Sequence, residues 1–356
     1  MSMANALDYV KEYGHLSFAR KAFNDIDNVV FSLLNYVDYL QTSINTPGEH
    51  TLEEIGKEFL KQHTYKEMQK VGFAQAEAYQ MLKLVTKAER YRHILVDDYV
   101  YETAPGMMFS VLTFHVTKNL DYIAFEGTDE LVCGWREDFE LSYSFPVESH
   151  FKSRDYLIRH INPWDRKKKV IVGGHSKGGN QALVGVMFLD KRRIGRVEKI
   201  YNNDGPGLRA KEFASKEFAA VKDRYVHIVP HSTYVGSMLH HSNFTVVKSD
   251  KESVMSHALL SWQVKGDKFE TAPRSAMSLE TEARLWSWCD MHGDEDRKKI
   301  LEAVMGVIES SNIKVTNNIV KPANIIKIIR KSKKVDKETR DLVIGLIRYV
   351  VLKRDD

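Results

Sequence analysis

The sequence is poor in cysteine and contains no long apolar run. Its 356 residues include two cysteines, Cys133 and Cys289, which excludes a disulfide framework and favours a reducing compartment. Two cysteines without a regular Cys/His spacing do not predict a zinc site. Apolar runs fall short of a bilayer span, and residues 1–6 lack the basic and apolar regions of a signal peptide. We therefore expect a cytoplasmic protein that needs no metal or cofactor.

Positive charge is unevenly distributed along the sequence. The formal net charge is +4, yet residues 321–356 contain eleven Lys or Arg and five Asp or Glu, a local excess of +6. One interpretation is a solvated helical face, and the other is contact with an anionic surface such as membrane lipid. No nucleic-acid-binding motif accompanies the charge, so we expect no nucleic-acid partner. The sequence leaves the oligomeric state open.

Strand-like and helix-like segments alternate over most of the chain. Residues 29–34 fit either a helix or an edge strand, and Thr51 and Glu54 form a capping box that opens a helical layer or cap over 46–90. β-Branched and aromatic runs predict strands at 107–116, 121–125, 167–173, 197–202, 224–229 and 244–248. Helical periodicity predicts helices at 150–161, 178–190, 209–220, 277–310 and 321–353.

This alternation predicts the α/β class, with a mostly parallel, doubly wound sheet. The first two strands are close enough in sequence to form a hairpin. Strand signals stop near residue 275, so we expect an α/β domain at 1–270 and a helical C-terminal appendage at 271–356, basic from residue 321.

The most informative motif is Gly174-His175-Ser176-Lys177-Gly178. It follows a β-branched run and precedes a helical stretch, which is the strand, sharp turn and helix of a G-x-S-x-G nucleophile elbow. A serine hydroxyl is a weak nucleophile until a turn exposes it beside a base. Glycines at 174 and 178 remove the Cβ atoms that would crowd such a turn. The motif therefore predicts a nucleophilic Ser176.

A nucleophilic serine of this type needs an acid and a histidine, which follow it in that order along the chain. His257 is the first histidine after the last predicted strand, and it is our candidate base; weaker candidates are His231, His240 and His241. Asp204 ends the strand after Ser176 and is our candidate acid. A turn aspartate before Gly-Pro is the alternative role for it, and Asp223 and Asp250 are weaker candidates.

An oxyanion hole completes such a site. We expect one donor to be the backbone N–H of Lys177, the residue after the nucleophile. The other candidate is Thr128, since Gly127 before it lets the backbone approach a substrate closely. We expect the Lys177 side chain to be solvated, and the alternative is that it attracts an anionic group of the substrate.

Three stretches together resemble the class 3 triacylglycerol lipases of the α/β-hydrolase superfamily. They are 124–129 (Ala-Phe-Glu-Gly-Thr-Asp), 135–138 (Trp-Arg-Glu-Asp) and 174–179 (Gly-His-Ser-Lys-Gly-Gly). The chain is similar also to a bacterial group of lipase-like proteins that share Gly-Gly-His-Ser-Lys-Gly-Gly-Asn and a later Asp-Gly-Pro-Gly. The resemblance covers about residues 20–265. It implies an α/β-hydrolase fold and the hydrolysis of carboxylic esters through an acyl-enzyme on Ser176.

The chain departs from the lipase pattern at two places. Glu126 stands where the lipases have Arg, and residues 229–233 lack the aspartate that the lipases carry after a later strand. Either Asp204 has taken over as the acid, or the triad is incomplete. The sequence thus leaves two functions: a serine esterase or lipase-like enzyme, or a weak or inactive hydrolase-like scaffold that binds partners through its basic tail.

Overall fold

The computed structural model describes residues 4–104, 107–128, 132–242 and 244–310. Its main feature is one eight-stranded sheet whose strands follow one another in sequence order. The strands are β1 (His50–Thr51), β2 (Leu95–Ala104), β3 (Met107–Thr117), β4 (Leu120–Phe125), β5 (Lys169–His175), β6 (Val197–Asn203), β7 (Tyr225–Pro230) and β8 (Phe244–Val247). β3 and β4 pair antiparallel, and β4 to β8 are all parallel.

All six predicted strands are present, and the first two form the expected hairpin. β2 was missed because its sequence Leu-Val-Asp-Asp-Tyr-Val-Tyr-Glu-Thr-Ala carries three acidic residues and little apolar alternation. A short hairpin of β9 (Val264–Lys265) and β10 (Lys268–Phe269) was missed as well. The mostly parallel sheet with helices between its strands confirms the α/β prediction.

Thirteen helices accompany the sheet in the described residues. They are α1 (Ala6–Tyr13), α2 (Asp25–Leu34), α3 (Leu52–Gln62), α4 (Tyr65–Val71), α5 (Phe73–Val85), α6 (Val132–Glu140), α7 (Glu148–His160), α8 (Lys177–Met187), α9 (Lys191–Ile194), α10 (Ala210–Phe213), α11 (Lys216–Ala219), α12 (Ala276–Met291) and α13 (Asp294–Ser310). None of the helices in these ranges is both long and apolar enough to cross a bilayer.

The ambiguous segment 29–34 is the buried end of α2. The Asn24 side chain accepts hydrogen bonds from the N–H groups of Ile26 and Asp27. The Asp27 carboxylate in turn accepts one from the Asn24 N–H, which completes a capping box. Phe31 lies at the centre of an aromatic cluster with Phe23, Phe114, Tyr91 and Tyr122. A capped helix buried on all sides, and not an edge strand, therefore fills the space beside β4 and β5.

Two predicted helices are each divided into two, and one of them is 277–310, which forms α12 and α13. Residues 209–220 form α10 and α11, because the Ser215 hydroxyl accepts the Phe218 N–H and starts a new helix. The predicted helical layer over 46–90 consists of α3, α4 and α5, with β1 at its start. The Thr51–Glu54 capping box is present at the start of α3.

The chain divides into two compact units. Among the described residues, the first comprises 4–103, 108–127 and 148–286 without 243, and contains most of the sheet. The second comprises 104, 107, 128, 132–147 and 287–310; within it α6 packs against α13, where Ile300, Leu301 and Met305 are buried. The predicted basic helix at 321–353 lies outside the described residues. The domain boundary expected at residue 270 stays a prediction.

Candidate active site

Ser176 lies in the sharp turn between β5 and α8. Its φ is +57° and its ψ is −133°, a conformation that costs a non-glycine residue energy and that functional sites often retain. The Ser176 N–H donates to the Asn203 carbonyl at 2.9 Å, and the Ser176 carbonyl accepts from the Gly179 N–H at 3.0 Å. The strand, turn and helix expected from the sequence are thus present, and backbone bonds hold the turn on both sides.

The two glycines that flank the serine are required by packing. A Cβ on Gly174 would lie 2.4 Å from the Gly178 carbonyl carbon, and a Cβ on Gly178 would lie 2.2 Å from the Phe125 carbonyl oxygen. Both distances are far inside van der Waals contact, and the obstacles are backbone atoms that cannot rotate away. The start of α8 therefore lies directly against β4 and β5 only because these side chains are absent.

Asp204 and His257 form a hydrogen-bonded pair. Asp204 follows β6 with a φ of +52°, and its Oδ2 lies 2.7 Å from Nδ1 of His257. Because an ionised carboxylate only accepts, Nδ1 carries the proton and Nε2 is left as the basic nitrogen. The Asp204 side chain is 1% exposed and that of His257 is 26% exposed. This is the geometry of an orienting acid and a general base.

The same region contains Ser176. The ring of His175, its neighbour in the chain, lies 4.3 Å from the ring of His257. Gly205, the residue after Asp204, approaches so closely that a Cβ on it would lie 2.0 Å from the Ser176 carbonyl oxygen. The structure thus brings the neighbourhoods of all three predicted residues together. Their catalytic roles stay predictions.

Two groups that hold Asp204 were not predicted from the sequence. Its Oδ1 accepts hydrogen bonds from the Thr233 hydroxyl and from the Gly236 N–H, the latter at 3.1 Å. Both residues lie in the loop after β7, which is where the lipase resemblance leads one to expect the acid. That loop supplies donors to a carboxylate carried by the preceding strand. The sequence signal for these two donors is a threonine three residues before a glycine in this loop.

His175 and Tyr36 were also missed. His175 is buried, its Nδ1 lies 2.8 Å from the Tyr36 hydroxyl, and its Nε2 lies 2.9 Å from the His257 carbonyl oxygen. Burial, and secondly the nearby charge of His257, lower the pKa of His175 well below its ordinary value. The residue before the serine is therefore a neutral histidine with both ring nitrogens engaged.

The expectation of a solvated Lys177 is wrong. Lys177 is 1% exposed, and its Nζ donates to the Met108 carbonyl at 3.1 Å. All residues of α8 are buried, so the helix that carries Lys177 has no face turned to solvent. A buried ammonium bonded to strand β3 is part of the core contact between α8 and the sheet, and not a surface charge.

The second oxyanion candidate lies at a unit boundary. Gly127 ends the first unit, and Thr128 begins the second. A Cβ on Gly127 would lie 2.3 Å from the Tyr36 hydroxyl and 2.9 Å from the Ser176 Cβ, so this backbone comes close to the elbow only as glycine. The oxyanion roles of Thr128 and of the Lys177 N–H stay predictions.

Glu126 occupies the position at which the lipases have Arg. Glu126 is buried. The burial of Tyr39 and Tyr99 is the main cause that raises their pKa values, and the negative charge of Glu126 is the second cause for both. The departure from the lipase pattern therefore places an acid among buried tyrosines. In the described residues, no group of three or more His, Cys, Asp and Glu side chains is arranged to hold a metal ion.

A parallel sheet with a serine elbow at the carboxyl end of β5, followed by an acid and a histidine on later loops, is the arrangement of a lipase-like α/β-hydrolase. The chain belongs to the Mbeg1-like family, whose model matches residues 85–306. No curated protein matches the chain.

Two solved lipase structures are similar to this chain. The M37 lipase is 18% identical, with 60% of this chain and 69% of that one covered and a TM-score of 0.35. The lipase from Rhizopus microsporus var. chinensis is 18% identical, with 54% of this chain and 78% of that one covered and a TM-score of 0.36.

Proposed function

We propose that the protein is a serine hydrolase that cleaves carboxylic esters through an acyl-enzyme on Ser176. The observation that carries the proposal is the 2.7 Å bond between Asp204 Oδ2 and His257 Nδ1. It orients the ring and leaves Nε2 free of a proton, as a general base requires. The strained backbone of Ser176 at the start of α8 supports the same role.

The first half of the reaction forms the acyl-enzyme. His257 Nε2 accepts the Ser176 proton while Oγ bonds to the ester carbonyl carbon, and the buried Asp204 carboxylate stabilises the imidazolium that results. The N–H of Lys177 would donate to the negative oxygen of the tetrahedral intermediate, and Thr128 as a second donor stays a prediction from the sequence. The intermediate then expels the alcohol, which leaves with the proton from His257.

The second half regenerates the enzyme. Water gives a proton to His257 and adds to the acyl carbon, and the acid product leaves as Ser176 regains its proton. The substrate class within carboxylic esters, from lipid to small acyl ester, is set by the pocket walls and not by this geometry. The chemistry requires no metal or cofactor.

A fluorophosphonate probe tests the proposal because it labels only an activated serine. We expect labelling of the wild-type protein and none of Ser176→Ala. The matched control is Ser215→Ala, which removes a serine hydroxyl at the cap of α11 and should label as the wild type does. Absence of wild-type labelling, or labelling unchanged in Ser176→Ala, would favour the scaffold hypothesis instead. Deletion of residues 321–356 would then be expected to abolish partner or membrane binding.

A further inference from the structure

The candidate base lies on a segment without regular sheet or α-helix. His257 ends a 3₁₀ turn, Ser253–His257, and a second turn, Leu259–Ser261, follows. A base carried by such a segment must be fixed by contacts with its surroundings, since an error of about 1 Å in its position can cost two orders of magnitude in rate. The Asp204 bond fixes one ring nitrogen but leaves the backbone of the segment to be held by other groups.

We infer that His175 and Tyr36 are positioning residues that hold the backbone of His257 in place for catalysis. The inference rests on the proposed function of His257 as the base. The contact chain runs from the Tyr36 hydroxyl to His175 Nδ1 at 2.8 Å, and from His175 Nε2 to the His257 carbonyl oxygen at 2.9 Å. Neither residue is proposed to touch the substrate.

The direction of both hydrogen bonds follows from the acceptor at one end. A carbonyl oxygen can only accept, so His175 Nε2 carries a proton and donates it to His257. Burial of His175 disfavours a second proton on its ring. Nδ1 is therefore an acceptor, and the Tyr36 hydroxyl donates to it. With this assignment each ring nitrogen of His175 has a hydrogen-bond partner of the correct kind.

The same argument separates the two neighbouring histidines by role. Both nitrogens of His175 are used in the buried chain, so it has no nitrogen available as a base. His257 is partly exposed, and its Nδ1 is the nitrogen engaged by Asp204. The rings lie 4.3 Å apart with a 35° tilt, so His175 also limits where the His257 ring can move. One histidine is thus a support and the other is the candidate base.

The position of Tyr36 extends the support to the N-terminal helices. Tyr36 follows α2 by two residues and is buried. Its hydroxyl occupies the space that a Cβ on Gly127 would fill, at 2.3 Å. The glycine in the predicted oxyanion stretch thus also makes room for this hydroxyl. The base of the candidate site is therefore tied to α2, an element about 220 residues away in the sequence.

Three variants and one control test the inference by activity on a soluble ester. His175→Leu removes the donor to His257 and should lower kcat by roughly 10- to 100-fold with little change in KM. His175→Gln keeps an N–H near the same place and should recover most of that loss. Tyr36→Phe should lower kcat by about threefold to tenfold, since it leaves a buried acceptor without its donor. Tyr156→Phe removes a buried hydroxyl bonded to Thr113 and Asp98, and should leave kcat unchanged.

A readout that needs no turnover distinguishes this inference from the proposed function. In ¹⁵N-histidine-labelled protein, His175 should give the neutral Nε2–H tautomer throughout the neutral pH range. The Nδ1–H proton of His257, bonded to Asp204, should be visible in the wild type and in His175→Gln, and lost to exchange in His175→Leu. A wild type that shows these signals but resists the fluorophosphonate probe would overturn the proposed function and retain the support of His257.

The inference would be overturned by either of two results. One is an Nδ1–H or titrating His175, which contradicts the direction of the bonds. The other is a His175→Leu protein that keeps the His257 Nδ1–H signal and a kcat within twofold of that of Tyr156→Phe, because the contact would then have only a structural role.

Discussion

Two aspartates in the first unit are buried to the same extent but have different hydrogen-bond partners. Asp27, in α2, accepts bonds from Arg90 Nε at 2.8 Å, Arg90 Nη2 at 2.6 Å and the Tyr91 hydroxyl at 2.6 Å. Asp204 accepts bonds from Thr233, from the Gly236 N–H and from His257. Both carboxylates are almost completely inaccessible to solvent, so burial alone does not tell them apart.

The difference lies in what the positive partner can do. Arg90 stays charged at any physiological pH and is fully buried with Asp27. Burial and the charge of Asp27 raise the pKa of Tyr91 well above its ordinary value, so the Tyr91 hydroxyl keeps its proton at neutral pH. His257 is one-quarter exposed and can gain and lose a proton. The Arg90 group is therefore suited to hold the fold, and the His257 group to move a proton.

The largest effect is expected when Asp204 is changed to Asn. An amide N–H at this position would donate to Nδ1 and move the histidine proton to Nε2, where it blocks the base. We expect kcat/KM on a soluble ester to fall by about 10⁴-fold, the loss known for the same change in a serine protease triad. Thermal unfolding should change little, because the amide can keep the bonds to Thr233 and Gly236. A loss below tenfold would mean that Asp204 is not the acid.

The converse change is Asp27→Asn. It leaves the Arg90 guanidinium buried without its counter-charge, so we expect a loss of about 3–5 kcal/mol in the free energy of unfolding, measured by urea denaturation. The activity per folded molecule should stay within about twofold of wild type. A specific loss of activity would break the distinction between the two aspartates. Together the two variants would show that Asp27 contributes to stability and that Asp204 contributes to turnover.

The sequence was sufficient to choose candidate site residues where the choice depends on local order. Ser176 was predicted from glycines two residues on either side, and His257 and Asp204 from their places after strands. The supports of these residues were not predictable in this way, because Tyr36 and His175 are 139 residues apart and Asp27 and Arg90 are 63 apart. Such contacts are determined by the packing of helices on the sheet. Lys177 was misjudged for the same reason, since its burial depends on how α8 packs against β4, β5 and β6.

A smaller effect is expected when Asp204 keeps its charge but loses a donor. Thr233→Val preserves the shape of the side chain and removes the hydroxyl, which weakens the hold on Oδ1 and should lower kcat by about tenfold. Thr233→Ser should restore it. Thr113→Val is the matched control, since it removes a buried hydroxyl bonded to Tyr156. If both valine variants lose the same activity, the loop after β7 does not act through Asp204.

The smallest effect concerns a third buried carboxylate, which makes no ion pair in the described residues. Glu77, in α5, accepts the Leu260 N–H at 3.3 Å, and burial raises its pKa to about 8 from the 4.5 that applies when it is exposed. The folded state therefore holds a proton that the unfolded state releases, so stability falls as pH rises from about 4.5 through 8. Glu77→Gln removes this dependence. Between pH 7 and 8 the wild type should lose about 1 kcal/mol relative to the variant in urea unfolding. An equal pH dependence of the two proteins would mean that Glu77 is already ionised, and that a buried carboxylate in this fold can stay charged without the cation that Asp27 has.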